Sequence, residues 1–249
     1  MKLSIYSTLR SAIEAEQPAV TARVVAGPDI GDELLLVYPD ALSGGFRDAE
    51  AQRSALQLMQ PMLRDGGTRL VEIGERRVFL EAHLPAAHLV VIGAVHIAIP
   101  LVTIAKALDY RTTVIDARGQ FATGERFPHV DTLIEAWPDE GLAQVNLHPG
   151  VAAVVLAHDP KFEDPAMAVL LASDVGYIGA IGSRATSAER RSRLLEAGFT
   201  EAQLARIHGP IGLNIGAKTP GEIAVAIMAQ IIAVRRGATA PTGAPQPRA

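Results

Sequence analysis

Between Leu89 and Asp116 the chain spells out strand, glycine, helix, strand, acid. Leu89-Val-Val-Ile92 is an unbroken apolar run, suited to a strand covered on both faces. Gly93 ends it where the chain must turn sharply into a helix. Ile97, Leu101, Ile104, Ala105 and Leu108 then recur at helical spacing. Residues 112–115 form the next apolar strand, with Asp116 at its carboxyl end. This is the first βαβ unit of a nucleotide-binding fold. A ligand here would set its phosphate against the helix N-terminus, where unpaired N–H groups and the macrodipole attract anions. Asp116 would accept hydrogen bonds from ribose hydroxyls. The dinucleotide fingerprint also asks for glycine at position 95. The chain has Val95, whose side chain stands where the backbone should approach a pyrophosphate.

The remaining pattern predicts an α/β protein in two parts. Residues 1–84 read as a smaller N-terminal α+β domain. Within it, 7–16 look helical, and 21–26 and 33–38 look like strands joined by the turn cluster Gly27-Pro-Asp-Ile-Gly-Asp32. Residues 47–64 look helical, with Pro61 weakening the last turn, and 68–73 with 77–81 read as a hairpin around Gly74. Pro85-Ala-Ala87 reads as a linker. Residues 85–236 alternate strand and helix, which argues a parallel sheet with helices on both faces. A short strand is expected at 132–135 and a buried one at 151–157. Asp164-Pro165 predicts the start of the next helix. Residues 176–181 read as a strand, and Ser183 opens a helix closed by Gly198. Thr200-Glu-Ala-Gln203 and Thr219-Pro-Gly-Glu222 are capping boxes, the second opening a long helix that ends near Arg236. Residues 237–249, rich in Gly, Pro, Ala and Thr, predict a disordered tail.

Composition removes several function classes. The formal net charge of −4 leaves no basic footprint for nucleic acid. The sequence has no cysteine, which excludes a disulfide framework, a thiolate metal site and a cysteine nucleophile within it. No segment reads as a signal peptide or as a bilayer span. The expected setting is cytoplasmic, with neither nucleic acid nor membrane as partner.

In parallel sheets, ligands bind beyond the carboxyl ends of the strands. The candidates are therefore the residues that follow each strand: Gly93 and His96; Asp116 and Arg118; His158 and Asp159; Gly182, Ser183 and Arg184. Each has a structural alternative. His96 either fills space or touches ligand. Asp116 either meets ribose or faces solvent. His158-Asp159 either lines the site or turns the chain before Pro160. Gly182-Ser183 either caps a helix or binds an anion, since both uses share one geometry. The loop His208-Gly-Pro-Ile-Gly-Leu-Asn-Ile-Gly-Ala-Lys218 is glycine-rich in an apolar frame, which suggests a sharply turned backbone packed close to something. Gly212 and Lys218 are its candidates, Lys218 as a cation for a ligand anion. No Ser-His-Asp order, zinc spacing or P-loop lysine motif occurs, so no catalytic residue and no metal ligand is assigned.

Several of these segments together resemble a known family. Leu89-Val-Val-Ile-Gly-Ala-Val-His-Ile-Ala98, Val114-Ile-Asp-Ala-Arg118, Glu125-Arg-Phe-Pro128, Val155-Leu-Ala-His-Asp159, Tyr177-Ile-Gly-Ala-Ile-Gly-Ser-Arg184, the loop from His208 and Thr219-Pro-Gly-Glu-Ile-Ala-Val225 are similar, in order and spacing, to the XdhC/CoxI family. These are maturation factors for xanthine dehydrogenase and other molybdenum hydroxylases. The resemblance spans residues 78–235 and implies a Rossmann-like domain. It also implies that the chain binds the molybdenum cofactor (molybdopterin) and assists its sulfuration and delivery, as a chaperone more than as an enzyme. A molybdenum hydroxylase and a cysteine desulfurase are the implied partners, and a homo-oligomer stays open. Two positions depart from the family. Gly-Ala-Gly-His is here Gly93-Ala-Val-His96, and Ser-Gly-Gly-Cys is here Ser43-Gly-Gly-Phe46, whose phenyl ring can neither ligate molybdenum nor carry sulfur.

An NAD(P)-dependent oxidoreductase is the alternative from the residues themselves. Asp116 would favour NAD, because a carboxylate repels a 2′-phosphate. Against it, Val95 crowds the pyrophosphate and no hydride-transfer pair can be assigned. A protein-binding scaffold with a decayed ligand site is the third reading.

Overall fold

The computed structural model describes residues 2–238. The chain divides into two units after Pro85. The N-terminal unit contains α1 (Leu3–Glu14), β1 (Ala19–Ala26), β2 (Glu33–Val37), β3 (Ala41–Gly45), α2 (Ala49–Asp65), β4 (Thr68–Ile73) and β5 (Arg76–His83). Its strands form an antiparallel sheet in the order β3-β2-β1-β5-β4. Strand alternation sorts the side chains. Val20, Ala22 and Val24 face α2, packing with Ala55, Met59 and Met62. Ala19, Leu35 and Val37 face α1, packing with Ile5, Leu9 and Ala12. Asp48 caps α2 by accepting from the N–H groups of Glu50 and Ala51. Pro61 lies inside α2 without ending it. Phe46 is buried in the α2 core.

Two local expectations change here. Helix α1 begins at Leu3 rather than residue 7, with the Lys2 N–H donating to Glu33 at 2.6 Å. Strand β3 has no counterpart among the expected elements, because Ser43-Gly-Gly45 carries no apolar pattern. It pairs with β2 through its backbone, Leu35 opposite Ser43.

The C-terminal unit contains β6 (His88–Ile92), α3 (Ala98–Ala107), β7 (Arg111–Ile115), β8 (Thr132–Ile134), α4 (Pro138–Leu142), β9 (Val151–Val155), α5 (Pro160–Ala172), β10 (Tyr177–Ala180), α6 (Arg184–Glu196), α7 (Glu201–Leu204), β11 (Ile207–His208) and α8 (Pro220–Arg235). All its strand pairs are parallel, in the order β8-β7-β6-β9-β10-β11. That is the doubly wound Rossmann order, with the first strand at the centre. Leu89 and Val91 face one way, into a core with Leu101 of α3 and Ile227 and Ile231 of α8. Val90 and Ile92 face the other, into a core with Leu142 of α4, Met167 and Leu170 of α5 and Leu194 of α6. Both faces are covered, as the continuous apolar runs required.

Helix α5 starts earlier than expected. Asp159, not Asp164, is its N-cap, accepting from the Lys161 N–H at 3.0 Å, with Pro160 in the first turn. Both Asp-Pro pairs carry the same start signal, and the first one takes it. Pro165 stays inside the helix, and the Asp164 carboxylate instead accepts from Arg193 of α6 at 3.1 Å. Helix α4 is also absent from the expected elements. Glu163 of α5 and Arg190 of α6 form an ion pair whose side chains are almost fully buried, and Arg190 also donates to the Ile181 carbonyl at 2.7 Å. Both capping boxes are formed as read, at Thr200 and Thr219. The expected tail lies outside the described residues from 239 onward.

The loop between β11 and α8 is a packing device. Gly212 has φ +91°, and a Cβ on it would lie 3.2 Å from Ala226 of α8. Its N–H donates to the Gln230 side chain at 2.8 Å, and the Tyr177 hydroxyl donates to the same oxygen at 2.6 Å. One glutamine thus fixes loop, strand β10 and helix together. Gly212→Val imposes both backbone strain and a clash. We expect it to lower folding stability by ~2 kcal/mol or more, measured by denaturant unfolding.

At the opposite, amino end of the sheet, His88 is buried and its Nε2 lies 2.9 Å from the Thr113 hydroxyl. Burial, with Arg111 nearby, pushes its pKa down to about 4. The unfolded chain has a histidine pKa of about 6.5. The folded state therefore binds fewer protons, so stability is present above pH 6.5 and is lost as pH falls through 4. Between pH 7 and 4.5 the wild type should lose roughly 2.5 kcal/mol more than His88→Gln, read from urea denaturation at both pH values.

Candidate ligand-binding site

Strand order reverses between β6 and β9, and the chain leaves these two strands toward opposite faces. The crevice this opens lies at their carboxyl ends. Gly93 forms its floor. Its φ is +106°, its N–H donates to the Ile115 carbonyl at 2.8 Å, and a Cβ would meet the Ala157 nitrogen at 3.0 Å. Only glycine fits this turn between two strand ends. Helix α3 follows with no side-chain cap at its N-terminus. The N–H groups of Val95 and His96 have no protein acceptor among the described residues. His96 is exposed beside them, and Val95 is half-buried against the α3–α8 core. An uncapped helix start with outward N–H groups can take an anion.

Asp116 occupies the adjacent strand end, but not as a free carboxylate. It is buried and accepts from the Ala94 N–H at 2.7 Å and from Arg118 three times: the N–H at 2.9 Å, Nε at 2.9 Å and Nη2 at 2.8 Å. These bonds use the acceptor capacity of both oxygens. Burial raises its pKa, but the Arg118 and Ala94 bonds outweigh that and hold the carboxyl below the usual range. Burial corrects the expected solvent-facing alternative, and a ribose would reach Asp116 only by displacing Arg118. Asp116 positions the α3 turn and aims Arg118. The expected preference for NAD falls with it, since Arg118 neutralises the repelling charge. The Arg118 guanidinium stays partly exposed, 4.6 Å from the Phe121 ring centroid and 5.7 Å from that of Phe162.

The other expected residues stand at the same sheet edge in simpler roles. His158 is exposed, and Asp159 is the α5 cap. Ser183 caps α6 by accepting from the Thr186 N–H at 3.1 Å, and Gly182, at φ +137°, makes room for Thr186. Residues 210–217 wall a cavity of about 420 Å³ together with Arg184, Ile223 and Ala226. The cation lining it is Arg184, while Lys218 is exposed outside the lining. The strand-end rule does collect Arg184, next to Ser183, but names Lys218 as the cation for a ligand anion. It passes over Trp137, which stacks on Phe162 with centroids 4.8 Å apart. The signal for Trp137 is its position just past the β8 strand end. No group of His, Cys, Asp and Glu that could hold a metal ion occurs among the described residues. No helix among them is long and apolar enough to cross a membrane.

Comparison with known proteins gives the family and the fold. The model of the XdhC Rossmann domain matches residues 89–231. A probable xanthine dehydrogenase subunit of Bacillus subtilis (strain 168) is 33% identical over 159 residues, covering 64% of this chain and 46% of that protein. The molybdenum cofactor insertion chaperone PaoD of Escherichia coli (strain K12) is 26% identical over 103 residues, covering 41% of this chain and 32% of that protein. The chain spans less than half the length of either relative. A crystal structure described as a xanthine dehydrogenase from Bacillus halodurans superposes with a TM-score of 0.64 at 23% identity, covering 95% of this chain and 68% of that one, which supports the fold alone. The matched segment contains β6–Gly93–α3, Asp116–Arg118 and the loop before α8, and makes up more than half of the sequence: the chain belongs to the XdhC family.

Proposed function

We propose that the chain is a maturation factor that binds the molybdenum cofactor and assists its insertion into a molybdenum hydroxylase. The observation that carries this reading is the uncapped α3 N-terminus beside Arg118, in a chain whose relatives include a named cofactor insertion chaperone. The residues fit one end of the cofactor and not the other. Molybdopterin carries a phosphate, and the N–H groups of Val95 and His96 with the Arg118 guanidinium suit it. When bound, the cofactor supplies the metal centre that the receiving enzyme uses. Asp116 contributes by holding Arg118 and the α3 turn in place before the ligand arrives, which reduces the ordering cost of binding. No thiol in this sequence can hold the metal or carry sulfur, and Phe46 is a core residue. Sulfuration therefore needs the thiol of a partner, such as a cysteine desulfurase. The chain holds and presents the cofactor while chemistry occurs elsewhere.

Purification from cells that make the cofactor tests this. We expect the protein to carry a pterin, released and oxidised to a fluorescent product, and to raise the molybdenum content of a co-expressed hydroxylase. Arg118→Ala should cut pterin retention severalfold, compared at a temperature where circular dichroism shows the variant folded, because loss of the guanidinium also strands the buried Asp116 carboxylate and lowers the melting temperature. A protein free of pterin that leaves hydroxylase loading unchanged refutes the proposal.

The strand order and Gly93 also support a second reading, an NAD(P)-binding oxidoreductase. Val95 and the fully engaged Asp116 oppose it. Calorimetry should find NAD binding weaker than micromolar, and Val95→Gly should tighten it. Micromolar binding by the unaltered chain would instead favour the dehydrogenase.

A further inference from the structure

Trp137 breaks two local rules at once. It occupies the N-cap position of α4 yet makes no capping hydrogen bond, where Ser, Thr, Asp or Asn would stabilise the helix start. It is also 45% exposed, although indole is among the side chains that gain most from burial. An indole that neither caps nor packs fully is open to a further contact.

Its neighbours indicate which contact. The indole stacks on Phe162 at an interplanar angle of 20°. Phe162 is 5.7 Å from the Arg118 guanidinium carbon, which in turn lies 4.6 Å from Phe121. The Lys161 ammonium is 5.0 Å from the Phe162 ring. These contacts run from the crevice outward: Asp116 fixes Arg118, Arg118 meets Phe162, and Phe162 meets Trp137. The series of flat groups ends at a partly open indole on the same sheet edge as the α3 N-terminus. Trp137 follows β8 and Phe162 follows β9, so the series reaches across the carboxyl ends of β6 and β7.

We propose that Trp137 is a stacking platform for the planar nitrogen heterocycle of a phosphorylated ligand, with the phosphate at the α3 N-terminus. This rests on the ligand-binding reading above and adds the subsite for the ring. A flat ring adds to the open end of an aromatic series without needing a closed pocket. Arg118 and Lys161 beside Phe162 add cationic character that suits electron-rich rings and their phosphates. A pterin and a purine share this chemistry.

The chain has a single tryptophan, so its fluorescence reports on this position alone. Neopterin phosphate and AMP are the probes, each titrated into the full chain. Stacking should shield Trp137 from acrylamide quenching by about twofold or more. Trp137→Ala should weaken calorimetric binding of the same probe about 10-fold, and Trp137→Phe should restore most of it. Circular dichroism of both variants should be unchanged, because the residue is on the surface. Shielding by neopterin phosphate only assigns a pterin site, and shielding by AMP only assigns a purine site. Binding without shielding, equal affinity of Trp137→Ala, or no binding of either probe at millimolar concentration overturns the platform. Retention of the molybdenum cofactor by Trp137→Ala at the wild-type level would overturn it too, while leaving the maturation role standing.

Discussion

A buried carboxylate organises the binding edge of this protein. Asp116 receives one hydrogen bond from the turn after β6 and three from Arg118, and is almost removed from water. Its charge is tolerable there only because donors surround it. The geometry of the α3 start, the direction of Arg118 and the contact between Arg118 and Phe162 all follow from that arrangement. Gly93 is the matching steric constraint, since it lets the ends of β6, β7 and β9 close to within hydrogen-bond distance around the same turn. The crevice is therefore shaped before any ligand arrives.

Much of the architecture was legible because burial imposes pattern. Residues 89–92 and 151–155 are apolar throughout, which only a doubly covered strand requires, and the two capping boxes mark helix starts through their own hydrogen bonds. Legibility failed where backbone or context decided. Strand β3 pairs through main-chain groups that Ser43-Gly-Gly45 does not advertise. Two Asp-Pro pairs compete for the α5 start, and only the packing of α5 on α6 gives Asp164 its partner Arg193. At the candidate site, the strand-end rule names Asp116 and Arg118 but cannot say that they bind each other. Their separation by one residue puts both beyond the strand end, and the guanidinium reaches back. Gly212 reads as a candidate ligand-site residue because glycine says only that a side chain is forbidden. What forbids it is Ala226 of the chain's own helix.

The division of labour within the chain follows from its chemistry. The groups suited to an anion gather at one sheet edge, in donors that need no proton transfer: backbone N–H groups and guanidinium ions that stay charged at any physiological pH. Nothing comparable serves a soft metal. Phe46, where the resemblance to the family implies a cysteine, fills the α2 core instead.

The Glu163–Arg190 pair has a consequence for how this sequence can change over time. Glu163 replaced alone strands the Arg190 charge between α5 and α6, at a cost of about 3–5 kcal/mol, whereas Arg190 replaced alone leaves Glu163 its longer contact with Arg193 at 3.4 Å. Replacing both by apolar residues is often neutral. The two helices are therefore joined by a contact that single substitutions can hardly escape, although a double one can. What resists change here is the depth of the intermediate valley, and not any superiority of charge over hydrocarbon.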